Sequence, residues 1–381
     1  MNTKVIASIG MGVDSTSAAI RIITDPGIRD FDLADLTVVI AAVGDEYPDT
    51  YDNTERVLFP LLKAHRIRTV QLARPGLRTS KGNQYVVLDD SASPRRVVRS
   101  GPVRLSDELA RNGTVAQVSN RRCSLRWKGE PIDAWIADNV APGYRHLLGY
   151  AANEQRRIDR DRLIDRHGRR PYYPLQEWGW TRDISSRFIH DTTGTRFGRS
   201  ACAHCPFQSV KASREEWVQR WRQHPQAAAK ALLLERQAIS LNPKMRLFGA
   251  TCAWDLAVEH QLHEPVALAR QQLTAARWAL YEVRRTRTGR NQAMRSVRTL
   301  ATGSRARMHA LLARTAPIAP QVDVYGIHRA WLRPPGDDER RVEHVWAVAM
   351  AGIADKQRPR FEQTWQELTG TDPDTPGCGI G

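Results

Sequence analysis

The sequence predicts an α/β protein: a parallel-sheet domain over residues 1–210, followed by a mostly helical region. Three observations carry this. Short apolar runs alternate with helix-like stretches near the start, in the order strand, helix, strand, helix, strand, which is the pattern of a parallel sheet with crossover helices. Two of these runs end in polar loops, "GMGVDST" and "GDEYPDT", at the edge where such sheets bind ligands. From Arg214 almost to Pro317 the pattern is helical.

The elements follow in order. "KVIASI" (Lys4 to Ile9) is a short buried strand, and a glycine turn leads into a helix from about Asp14 to Thr24, ended by "DPG". "LTVVIAAV" (Leu36 to Val43) is the second strand. "ERVLFPLLKAHR" (Glu55 to Arg66) is helical with a kink expected at Pro60, and "RTVQLA" (Arg68 to Ala73) is the third strand. Residues 75–120 are polar and basic and read as an insertion or mobile loop, closed by the helix-like "LSDELARNG". "PIDAWIADNV" (Pro131 to Val140) is a helix, and His146 to Tyr150 a strand followed by a charged run. "RPYYPLQEWGWTRDISSRFIHDTTG" mixes aromatics with a proline and then turns helical. Residues 211–330 read as a helical, Arg-rich region. Residues 331–381 read as a C-terminal helical segment within His344 to Leu368 and a flexible Gly/Pro tail.

The totals set limits. A chain of 381 residues suggests about two domains, and 41% apolar residues suffice for a core. No run of eighteen apolar residues is present, so no membrane partner is expected. "MNTKVIASIGMG" lacks the basic and apolar regions of a secretory signal, and five cysteines do not make a disulfide scaffold, so a cytoplasmic protein with reduced thiols is expected. The net charge of +16 favours a polyanion such as nucleic acid. With only eight lysines the bias to arginine resembles a codon habit, but that habit does not explain the excess of bases over acids. Within it, Arg277 to Arg314 holds ten arginines and one acid, Glu282, with Trp278 and Tyr281 among them. Such a segment could track a phosphate backbone or form a solvated helix face.

At "GMGVDST" (Gly10 to Thr16), Gly10 and Gly12 allow backbone N–H groups to approach an anion, and the next helix offers its N-terminus. Asp14 can cap that helix or reach a metal, and Ser15 and Thr16 can donate to phosphate oxygens. The loop is neither a Walker A nor a G-x-G-x-x-G motif, and a plain tight βα turn is the alternative. Cys202 and Cys205 form a C-x-x-C, read as half a metal site or a redox pair.

"GMGVDS" resembles the PP-loop, S-x-G-x-D-S, of the adenine nucleotide α-hydrolases, the ATP pyrophosphatases and PAPS-reductase-like proteins. Gly12, Asp14 and Ser15 match; Gly10 replaces the first serine, and Val13 the lysine common in the family. "AVGDEYPDTY", "CSLRWKGEPI", "LLGYAANEQRRI", "YPLQEWGWTRDI" and "ACAHCPFQ" resemble further family segments in the family's order, together covering residues 4–208. The resemblance implies a HUP/PP-loop nucleotide-binding domain. It implies ATP and Mg²⁺ at Ser8, Gly10, Gly12, Ser15, Thr16 and Asp45, with Asp14, Ser15, Lys128 and Arg156 in catalysis. Taken singly, Glu46 reads as part of a solvated turn and Arg157 as part of a salt-bridged helix. The resemblance also implies that Cys123 joins Cys202 and Cys205 in holding an iron–sulfur cluster or zinc, with His204 and Cys252 as candidates for a fourth ligand. The implied activity is adenylation of an acceptor with release of pyrophosphate and transfer of sulfur, in nucleic-acid modification with a sulfur-donor protein as partner. Two alternatives stand beside it: a PAPS/APS-type reductase, whose terminal cysteine signature is absent around Cys378, and a non-catalytic nucleotide- and nucleic-acid-binding subunit.

Overall fold

The structure, a computed structural model, describes residues 3–118, 121–164, 167–209, 214–287, 289, 293–336 and 342–370. These fall into two compact units. The first comprises the described residues of Met1–Glu108 and Gln117–Gln208, the second those of Leu109–Ala116 and Ser209–Gly381. Among the described residues no helix is long and apolar enough to cross a membrane. Cys378 lies outside the described residues.

The first unit is mixed α/β, with a six-stranded, mostly parallel sheet. Its strands are β1 (Val5–Ser8), β2 (Leu36–Ala42), β3 (Arg68–Ala73), β4 (Val86–Ser91), β5 (Arg145–Leu148) and β6 (Arg170–Tyr172), in the order β4-β3-β2-β1-β5-β6. All neighbours are parallel except β3 and β4. The central strands read as unbroken apolar runs because both faces are covered. Val5, Ala7, Val38 and Ile40 share one core with helix Val13–Thr24. Ile6, Val39, Ala41, Val70 and Leu72 share another with Ile132, Trp135 and Ile136 of helix Glu130–Asn139. The chain lays β2 and β3 to one side of β1 and returns to the other side for β5. The carboxyl ends of β1 and β5 therefore flank a topological switch point, where open sheets hold ligands.

Several local expectations are refined. The helix around Pro60 runs from Pro48 to Ala64 and passes through a π-helical turn, Thr54–Leu58. That wider turn accommodates a ring that would otherwise press on the carbonyl four residues back. A second π-helical turn, Leu125–Gly129, precedes Pro131, so helical structure begins at Arg122 and carries Lys128. Residues 75–120 are more than a loop: β4 pairs along β3 and Arg68 reaches Asp90 at 2.7 Å, before the helix expected at "LSDELARNG", Leu105–Asn112.

The second unit corrects the expectation of a mostly helical C-terminal region. It contains a five-stranded antiparallel sheet. Its strands are β7 (Trp278–Arg287), β8 (Ala293–Gly303), β9 (Gln321–Val322), β10 (His328–Arg333) and β11 (Val342–Met350), in the order β8-β7-β11-β10-β9. Of the helical segment expected within His344 to Leu368, the start is β11 instead, to Met350, and the end is the expected helix, Phe361–Thr369. The Arg277 to Arg314 segment is a hairpin and then helix Arg305–Thr315, not a continuous helix. Its charges are met by its own Glu282 and by acids from other elements. Arg285 stands opposite Glu343 of β11 at 2.6 Å, Arg298 opposite Glu282 at 3.1 Å, and Arg284 meets Glu362 at 2.8 Å. Cross-strand pairing of this kind stabilises a sheet and uses charge that the linear sequence leaves unbalanced.

Ser304 caps helix Arg305–Thr315, its Oγ accepting from the Arg307 N–H at 3.2 Å. Ser304→Ala should lower stability by about 1 kcal/mol in urea unfolding, while Ser304→Asp should hold it; equal midpoints for all three would remove the cap from the account.

Candidate functional site

Ser8 ends β1, and Ile9 to Gly12 turn the chain into helix Val13–Thr24 at the switch point. Gly12 is the N-cap and supplies no side-chain cap. The first-turn N–H groups therefore need other partners, which makes the turn a ready anion site. Ser15 Oγ accepts from the Gly10 N–H at 3.1 Å and closes the loop on itself. Met11 is buried with φ 59°, a left-handed conformation that a side chain seldom adopts.

The glycines differ in purpose. A Cβ at Gly10 would find ordinary contacts, 3.8 Å from Ser200 Oγ and 3.9 Å from Ser15 Oγ. A Cβ at Gly12 would lie 2.9 Å from both the backbone N and the Cβ of Ser200, so glycine is required there by the neighbouring chain. Gly149, just past β5, is tighter still: its Cβ would lie 2.5 Å from Ser15 Cα. Thr16 is fully buried and its Oγ1 has no hydrogen-bond partner, which corrects its expected place on the cradle surface. Asp14 is held by Arg182, whose Nη2 and Nε lie 2.5 Å and 3.1 Å from Oδ2.

Beside the loop lies a second cluster. Lys128 Nζ is 2.5 Å from Glu46 Oε1 and 3.3 Å from Ser200 Oγ, and the Ser200 hydroxyl donates to the same Glu46 oxygen at 3.3 Å. The Glu46 side chain is 1% exposed and its Oε2 has no hydrogen-bond partner. Glu46 is therefore not a solvated turn residue; it is the buried counter-charge of Lys128. Burial alone would lower the Lys128 pKa, but the Glu46 carboxylate and its hydrogen bond outweigh this and raise it. Asp45 is also buried, and its Oδ2 accepts from the Ser106 N–H at 2.6 Å, in the first turn of helix Leu105–Asn112.

The C-x-x-C joins this cluster through a β-bridge between Glu46 and Cys202, and the Cys205 N–H closes a turn onto the Cys202 carbonyl at 2.9 Å. Burial is the main cause that raises all three thiols: Cys202 well above its ordinary value, Cys205 to about 11, and Cys123 less. Cys123 contributes to the shift at Cys205, and Cys205 to that at Cys202, so the three share one environment. Thiols raised in this way are protonated at neutral pH. Among the described residues no three His, Cys, Asp or Glu side chains are arranged to hold a metal ion. No chemical step below is routed through a cluster or zinc. Cys252 belongs to the second unit, where its thiol lies 3.0 Å from Glu235.

Arg156 is exposed on helix Gln155–Arg162, and nothing draws it to the loop. Its neighbour Arg157 pairs with Glu154 at 3.3 Å and lies 4.2 Å over the Tyr150 ring, next to Gly149. Ser8, expected at the ligand, lies 2.7 Å from His146 Nε2. Sequence reasoning assigned no role to Arg182, Ser200, Gly149, His146 or Arg169. Only Arg182 carried a signal, as the arginine of the "WTRD" segment.

Comparison of the chain with protein-family models, with curated proteins and with solved structures finds no match.

Proposed function

We propose that this chain is an ATP-using enzyme of PP-loop type that adenylates an acceptor, releases pyrophosphate and transfers sulfur. One observation carries the reading. A glycine turn at the carboxyl end of a central parallel strand enters a helix with no side-chain cap, at the switch point of the sheet. An anion there meets unpaired N–H groups and the positive end of the helix. Arg182 and Lys128 stand near as cations, each now neutralised by a carboxylate that a phosphate could replace.

In the first step an acceptor oxygen attacks the α phosphorus. The bond from that phosphorus to the bridging oxygen breaks, and pyrophosphate leaves with its electron pair. In the second, a sulfur nucleophile from a donor protein attacks the adenylated carbon, and AMP leaves. Mg²⁺ carried with ATP would offset charge on the leaving group. The thiol turn at Cys202 and Cys205 adjoins the loop through Ser200, but its buried, protonated thiols leave the sulfur nucleophile to the donor. Nucleic acid is the proposed acceptor class, on the net charge of +16; the paired arginines of β7 and β8 support it less. A nucleotide-binding subunit without turnover is favoured by one observation, the absence of the family's serine and lysine at Gly10 and Val13.

The test is product analysis of ATP incubated anaerobically with the protein and Mg²⁺, with and without DNA or RNA. AMP and pyrophosphate are expected, with a loss of about a hundredfold or more in Arg182→Ala, the scale of removing a charge-stabilising donor. ADP and phosphate, or binding without turnover, would overturn the adenylation reading.

A further inference from the structure

Below the end of β1 runs a line of hydrogen bonds with a fixed direction. The Asp161 carboxylate accepts from the Arg169 guanidinium and from the Tyr173 hydroxyl, the latter at 2.6 Å. Arg169 also donates to the carbonyls of Asp161 and Ile164, at 3.3 Å and 3.4 Å. Its Nε–H donates to His146 Nδ1 at 2.9 Å, and His146 Nε2 lies 2.7 Å from Ser8 Oγ. Arg169 and His146 are both buried, and Tyr144 faces the imidazole with ring centroids 6.0 Å apart.

A guanidinium has no acceptor, so His146 Nδ1 must hold a lone pair. The neutral ring then carries its proton on Nε2 and donates it to Ser8 Oγ. The other tautomer would set one N–H against another. Burial, then the charge of Arg169, hold the His146 pKa down to about 3 against the weaker pull of Asp161. The arrangement inverts a Ser-His-Asp triad. A carboxylate at Nδ1 makes the ring a base that takes the serine proton. A cation at Nδ1 makes it a donor and leaves the serine its own proton. Ser8 is half-buried two residues before Gly10, and its hydroxyl accepts from His146, so its O–H must find an acceptor elsewhere.

We infer that Arg169 and His146 are positioning residues that fix Ser8 as a one-way hydrogen-bond donor to an unprotonated oxygen of the nucleotide held at the Gly10 to Thr16 loop. This rests on the nucleotide site proposed above and adds a selection rule: the ligand atom at Ser8 is an acceptor, such as a phosphate oxygen. Successive donors polarise one another, which strengthens the last one.

Two measurements test it on the full chain. In ¹⁵N-histidine spectra, with the His146 signals identified by their loss in His146→Gln, Nδ1 should be unprotonated and Nε2 protonated without change over about pH 5 to 8. A protonated Nδ1, or titration in that range, overturns the relay. Binding of α,β-methylene ATP should weaken about tenfold in Ser8→Ala and in His146→Phe, and the double variant should be no weaker than Ser8→Ala. His146→Gln, whose amide can donate from near the Nε2 position, should recover to within about threefold of the unaltered protein. Unchanged binding by Ser8→Ala overturns the inference while leaving the nucleotide site standing. Failure of the unaltered protein to bind the analogue overturns the nucleotide site and the role of Ser8 with it.

Discussion

Gly149→Ala should destabilise the first unit by about 2–4 kcal/mol and abolish nucleotide binding, because overpacking against backbone has no inexpensive relief. The added methyl would lie 2.5 Å from Ser15 Cα, 2.7 Å from Ser15 N and 3.0 Å from the Asp14 carbonyl carbon. None of these atoms is the end of a flexible side chain. Either β5 or the first turn of helix Val13–Thr24 must move, and that turn carries the N–H groups proposed to hold the phosphates. Gly10→Ala is the control within the same loop. Its methyl meets nothing closer than 3.8 Å, so it should unfold at nearly the same urea concentration as the unaltered protein. Urea unfolding and ATP titration of the two variants check the contrast. A Gly149→Ala protein with an unchanged midpoint would mean that the end of β5 does not press on the helix as described.

The two glycines also mark what the sequence could convey. The loop at Gly12, Asp14 and Ser15 was legible because its parts are contiguous, and β1 to β3 were legible because strands buried on both faces form unbroken apolar runs. Gly149 was not legible: its need for glycine comes from a helix more than a hundred residues earlier in the chain. The same holds for Ser8, His146 and Arg169, which parallel pairing of β1, β5 and the segment before β6 brings together without a local pattern. Glu46 looked solvated because it sits in a run of polar residues, and its cover is a β-bridge to Cys202. The antiparallel sheet of the second unit was missed for a related reason. Arginines on β7 break the alternation expected of a half-buried strand, since their charges are met by Glu343 and Glu362 from elsewhere in the chain.

Lys128→Met should cost more than Glu46→Gln, and the double variant should recover much of the loss. Glu46 is 1% exposed while Lys128 is 27% exposed, so the two residues do not depend on each other equally. Without Lys128 the carboxylate is left buried, with the Ser200 hydroxyl at 3.3 Å and an Oε2 that already lacks a partner. Breaking a buried pair in this way costs about 3–5 kcal/mol. Without Glu46 the ammonium can still turn toward water, so the penalty is smaller. Glu46→Gln with Lys128→Met removes both charges and the need for compensation. The pH dependence has a definite sign. The Lys128 pKa is raised on folding from its ordinary 10.5, so the pair's contribution is full below that value and fades as pH rises through the folded value. The unaltered protein should lose stability relative to the double variant as pH rises through the folded Lys128 value. Urea unfolding of the four proteins measures the cycle, and equal stability for Lys128→Met would mean that Glu46 is not held as a buried charge. The double variant then separates architecture from chemistry: if it folds yet releases no pyrophosphate from ATP, the Lys128 charge serves the phosphates as well as Glu46.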